Sequence, residues 1–173
     1  MNRRVWFAVA AAFLVALGVV AFVSYRGEDR SGTSAQQLSA WVKDTSLGQE
    51  LGALHDDGLD LQKVLARHAG TNAVHTVCGV LTVTAEQAHG NLPSTDTELT
   101  LLLDRVYQLD AEAGNDCYAA GATNKKLLAK SSSERAQAQR VAEEALARVA
   151  AVTGRTISTT TTTQPTTGTG IFG

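Results

Sequence analysis

Glu86 and His89 stand three positions apart in "TAEQAHG", a step that sets a carboxylate and an imidazole on one face of a helix. Helical bundles hold metal with a Glu-x-x-His step when facing helices add further carboxylates. A two-metal centre needs the motif twice and it occurs once here, so Glu86 and His89 are weak ligand candidates and no cofactor is expected. His55, Asp56, Asp57 and Asp60 cluster oxygens and an imidazole but lack the regular oxygen spacing of a calcium loop, and an exposed helix face is the expected reading. His68 and His75 flank a predicted turn across which they could approach each other.

The remaining motifs are poorer still. "LPSTD", Leu92 to Asp96, resembles a wall-sorting signal, but it has aspartate where glycine is expected, lies mid-chain and lacks the trailing apolar and basic segment. No phosphate-cradling glycine loop, nucleophile elbow or Ser–His or Cys–His arrangement is recognisable, so the chain is not expected to be an enzyme. Cys117, Tyr118 and Asn124 could line a pocket, with ordinary packing the expected outcome.

The two cysteines, Cys78 and Cys117, take their meaning from location. Arg3 and Arg4 precede "VWFAVAAAFLVALGVVAFVSY", an uncharged run from Val5 to Tyr25. At 1.5 Å per residue it is long enough to cross a hydrocarbon core of about 30 Å. It also exceeds the usual apolar region of a cleaved signal, although Val19–Ala21 has the small residues of a cleavage site. The leading arginines keep that end in the cytoplasm. The expectation is a single-pass protein of the cytoplasmic membrane with residues 1–4 inside, 5–25 in the bilayer and the bulk extracytoplasmic. In that compartment two thiols pair, so Cys78 and Cys117 are expected to form a disulfide.

These residues need elements to hold them. Residues 26–33 suit a charged spacer, 34–154 a single folded domain, and 155–173 a disordered Thr-rich tail with almost nothing to bury. Threonines beside proline in that tail are expected O-glycan acceptors. Leu47, Leu51, Leu54, Leu61 and Leu65 make one helical stripe, with Gly58 in its gap, a Ser46–Gln49 capping box before it and Gly70 as its stop. A turn around Leu38, Trp41 and Val42 is expected to continue the same rod. The β-branched "TNAVHTVCGVLTVTAEQAHG" hints at a strand, yet Val74, Val77, Cys78, Leu81, Ala85 and Ala88 space as a helix. Thr95 with Glu98 marks the next capping box, ahead of Leu99, Leu102, Leu103, Val106 and Ala113. The last helical region carries Leu127, Leu128 and then Ala138 to Val149, with Ser131–Glu134 either an internal cap or a polar patch on one long helix.

The fold class is therefore all-α: a transmembrane helix, then an antiparallel bundle of about four helices, then the tail. If the helix opening at Thr95 ran unbroken to Ala120, Cys117 would lie about 33 Å along it, against about 15 Å for Cys78 on its neighbour. A break at Gly114–Asn115 is expected for that reason.

Taken together, "WVKDTSLGQELGAL", "VCGVLTVTAEQAHGNLPSTDTELT" and "DCYAAGATNKKLL" resemble uncharacterised actinobacterial proteins with one N-terminal span and an extracytoplasmic helical domain. The resemblance covers about Trp41 to Val149 and implies export and a disulfide, with no activity.

Charge is segregated: Asp44 to Asp116 holds 12 acidic and 3 basic residues, whereas Cys117 to Gly173 holds 7 basic and 3 acidic. A basic last helix packed beside acidic ones is the plain reading; a basic face for anionic lipid or envelope polymer is the sharper one. The expected partners are the lipid bilayer through 5–25 and an envelope protein or polymer, with no nucleic acid. The expected function is non-enzymatic, binding or spacing an envelope component; the alternative is a carrier of a small apolar ligand.

Overall fold

The structure, a computed structural model, describes residues 32–159. The expected span 5–25, the cytoplasmic stub, nearly all of the spacer and the tail beyond Thr159 lie outside the described residues. Among those described there are five helices and no strand: α1 (Ser34–Asp44), α2 (Leu47–Ala66), α3 (Thr71–His89), α4 (Thr97–Ala120) and α5 (Lys125–Thr153). None is long and apolar enough to cross a membrane.

Helices α2 to α5 form a meander in which each packs on its predecessor, while α1 lies mainly against α5. The main core joins Leu38 of α1, Leu47, Leu51 and Leu54 of α2, Leu81 and Ala85 of α3, Leu99, Leu103, Val106 and Tyr107 of α4, and Ala145 and Val149 of α5. A second cluster of Leu61, Val74, Cys78 and Cys117 fills the other end. The β-branched α3 is a helix because its stripe Val74, Cys78, Leu81, Ala85, Ala88 is buried along its whole length, and packing outweighs propensity.

Several boundaries differ from the sequence expectation. The first rod is two helices: Thr45 and Ser46 separate α1 from α2, and Ser46 is left-handed (φ 54°) with no side-chain cap, so no capping box forms there. Gly70 does not stop α2, which ends at Ala66; it precedes the first residue of α3. The cap of α4 is Asp96, one residue after the expected Thr95, and its Oδ1 accepts from Leu99 N at 2.8 Å. Ser131 to Glu134 is a polar patch within an unbroken α5.

The expected break at Gly114–Asn115 is absent: α4 runs on to Ala120 with Cys117 inside it. Cys78 and Cys117 nonetheless sit at disulfide distance, their Cα atoms 5.7 Å apart. The reason is register. The expectation placed the facing ends of α3 and α4 level, but His89 at the end of α3 meets Asp104 (2.8 Å), seven residues into α4. The first two turns of α4 overhang α3. Counted from that pair, Cys78 lies about 16 Å back and Cys117 about 20 Å on, which nearly match.

Gly114 is what lets the two helices close at this level. A Cβ on it would fall 2.9 Å from both the Cys78 carbonyl oxygen and the Thr82 nitrogen, which are backbone atoms unable to step aside. Gly114→Ala is expected to destabilise the fold by about 1–3 kcal/mol through overpacking, read as a lower urea midpoint at unchanged slope.

The overhanging end of α4 is tied to α5. Arg148 donates to both Asp96 oxygens, Nε to Oδ1 at 3.2 Å and Nη2 to Oδ2 at 2.8 Å. The Arg148 hydrogen bonds, joined by that from Leu99 N, hold the Asp96 carboxyl below its usual range. Asp96→Ala is expected to cost about 1–2 kcal/mol. Because the folded pKa is depressed, this stabilisation is present above the unfolded value near 4 and is lost as pH falls through the folded one. Acid titration of both proteins should show their stabilities converging below about pH 4.

Candidate functional site

Between the two apolar clusters, α2, α4 and α5 supply charged residues to one level of the bundle. Asp110 is 1% exposed and Arg135 7% exposed, so both charges must be satisfied inside. Arg135 Nη1 donates to Asp110 Oδ1 at 2.5 Å, and its Nη2 donates to the Leu54 carbonyl at 2.9 Å. Room for the guanidinium comes from Gly58: a Cβ there would lie 2.7 Å from Arg135 Nε and 2.6 Å from its Cζ. Burial pushes the Asp110 carboxyl up to about 6, with Arg135 opposing that rise. Asp57 on α2 is also raised by burial, opposed by the Thr84 hydroxyl and Arg135, and its Oδ2 has no hydrogen-bond partner. One turn below Arg135, Ser131 Oγ donates to the Ala113 carbonyl at 2.7 Å.

This polar level opens into a seam. Helices α2 and α5 touch only sparingly, since α3 and α4 connect them and α1 closes one end. A cleft of about 300 Å³ lies along the seam, with Leu51, Leu54, Val106, Ala142 and Leu146 as apolar walls and Asp110 and Arg135 among its lining. A smaller cavity of about 120 Å³ continues past Arg135 between Leu61, Leu65 and Leu128. Arg135 and Gln139 line both.

The residues singled out by motif are dispersed. His89 Nε2 pairs with Asp104 and its ring meets Tyr107 edge-on with centroids 6.5 Å apart. Glu86 is exposed and joins neither contact. Among the described residues no three His, Cys, Asp or Glu side chains gather as a metal-binding group. The acidic cluster also divides: Asp57 belongs to the polar level, Asp60 pairs with Lys63 at 2.7 Å, and exposed His55 borders the larger cleft. His75 stacks on Tyr118 (centroids 4.2 Å, planes 20° apart) rather than meeting His68. Asn124 caps α5, its Oδ1 accepting from Leu127 N at 3.3 Å.

Asp110 and Arg135 carry no motif of their own, because each occupies an ordinary-looking charged position. One signal was there. A glycine inside a helical stripe, such as Gly58, usually marks a close approach, here by a side chain from 77 positions further on. No protein-family model, no curated protein and no solved structure matches this chain.

Proposed function

We propose that this chain is a membrane-tethered, extracytoplasmic helical module of non-enzymatic role. Segment 5–25 holds it in the cytoplasmic membrane, and the bundle binds another envelope protein or polymer or spaces it from the bilayer. The observation that best supports this reading is how the charged groups between helices are used. Asp110–Arg135, Asp96–Arg148 and Asp116–Lys130 each join two elements as an ion pair and a His89–Asp104 hydrogen bond joins two more, a use that stiffens a scaffold. The exposed cations Arg67, Lys125 and Lys126 gather where α2 ends and α5 begins, which suits an anionic surface.

Protease added to intact spheroplasts should remove the bulk of the chain. Crosslinking in intact cells should then join the bundle to an envelope component. A chain fully protected in sealed spheroplasts, yet digested after lysis, would refute the topology. The cleft of about 300 Å³ favours the carrier as a second reading, because it reaches the lower end of ligand-pocket volumes. Organic extraction of the purified protein separates the two: a stoichiometric apolar molecule supports the carrier.

A further inference from the structure

We propose that the outer face of α3 is a contact between two copies of this chain, in which the helix packs antiparallel against its own two-fold mate. The inference does not depend on which envelope component the bundle binds. It starts from a glycine with no role inside the bundle. Glycine in a helix interior is unfavourable relative to alanine, and Gly58 and Gly114 each offset that by clearing room for atoms of another helix. Gly79, in the middle of α3, clears room for nothing: a Cβ on it would meet no atom within 4 Å among the described residues. A glycine so placed suits close approach from outside the chain.

The face around it has the pattern of a helix–helix seam. Ala73, Thr76, Val80, Val83 and Gln87 step by three and four, the spacing of a coiled-coil contact, and all five are exposed. They lie opposite the buried stripe of Val74, Cys78, Leu81 and Ala85. Val80 is 47% exposed and Val83 50%, so both still have apolar surface to lose from water. No Asp, Glu, Lys or Arg occurs from Thr71 to Ala85, whereas α2, α4 and α5 all carry charges on their exposed faces.

Charge decides the occupant. An uncharged face gives an anionic polymer or lipid headgroup nothing to pair with, while two copies of it meet with no like charges opposed. Self-pairing also matches shape. With the two-fold axis between Gly79 and Val80, each Val80 enters the notch at the partner's Gly79, Val83 meets Thr76, and the amides of Asn72 and Gln87 face each other. One helix pair covers less than the roughly 800 Å² per partner of a stable interface, so the dimer is reversible and each bundle stays folded without it.

The test uses the full chain in detergent, with micelles in excess so that shared micelles do not force contact. Sedimentation equilibrium should show a monomer–dimer equilibrium. The T76C/V83C double variant should oxidise to a chain-to-chain disulfide dimer, and L101C, at another exposed apolar position, should not. V80D, which sets two carboxylates at the axis, should raise the dissociation constant at least about tenfold. G79L should do the same by filling the notch, while the dilute monomer keeps at least the parent's urea midpoint. A chain that stays monomeric up to about 1 mM, or a dimer that V80D and G79L leave intact, would overturn the proposal. So would failure of T76C/V83C to crosslink, equal crosslinking through L101C, or a lowered midpoint for G79L, which would give Gly79 a role inside the bundle.

Discussion

Arg135→Ala is expected to lower stability by about 3–5 kcal/mol, one of the two largest effects of substitution in this fold. The change does not merely delete a hydrogen bond. It leaves Asp110 buried without its cation, leaves the Leu54 carbonyl without its donor, and opens a void beside Gly58. The pH dependence distinguishes these effects. Burial already holds Asp110 up to about 6 with Arg135 present, so the folded state keeps that proton longer than the unfolded state, whose carboxyl titrates near 4. For this group alone, stability falls as pH rises from about 4 to about 6. Without Arg135 the carboxyl moves higher and the falling range extends beyond 6. The penalty of Arg135→Ala should therefore be smallest at and below about pH 6 and grow as pH rises above it, measured as the gap between urea midpoints. A void alone would give a gap independent of pH.

The same pair predicts its own rescue. Apolar residues of similar volume commonly replace a buried ion pair without loss, because neither charge then has to leave water. The D110L/R135M double variant should come within about 1 kcal/mol of the parent, and its urea midpoint should lose the pH dependence that Asp110 contributes. A double variant as unstable as Arg135→Ala would mean that the polar level stabilises through Asp57 or the Leu54 carbonyl instead.

How much of this was legible in the sequence divides by physical cause. Apolar spacing located every helix from α2 onward, including α3 against its β-branched composition, because a stripe such as Val74, Cys78, Leu81, Ala85 needs only its own chain to be recognised. The two internal glycines show where that reading stops. Gly58 and Gly114 have the same local signature, a missing side chain inside a helical pattern. One makes space for a guanidinium and the other for a neighbouring backbone, and both depend on residues distant in sequence. Reading Gly114 as a break followed from placing the facing ends of α3 and α4 level. The overhang that corrects this is set by the path of residues 90–96 and by the Asp96–Arg148 pair, neither of which has a periodic signal. The polar level of the candidate site was hidden for a related reason: Asp110 and Arg135 are 25 residues apart, and each alone reads as a solvated position.

Replacing both cysteines, as C78A/C117A, is expected to lower stability by about 4 kcal/mol, the loop-closure entropy of a crosslink spanning 39 positions. The chain-entropy estimate is used here because the helices already bring the two Cα atoms to a bridging separation. Cys78 and Cys117 are both fully buried within one small cluster, with Leu61 and Val74 around them and Cα atoms 5.7 Å apart. Alanine keeps the cluster apolar, so the loss should fall mainly on the unfolded state, which regains the freedom of the 78–117 loop. The same loop contains the α3–α4 hairpin, whose register the pair fixes at one end and His89–Asp104 at the other. Reducing agent should therefore destabilise the parent to the level of the double variant while leaving the variant itself unchanged. If the parent does not respond to reductant, the thiols of the mature protein are unpaired, and the expectation of an oxidising compartment fails with them.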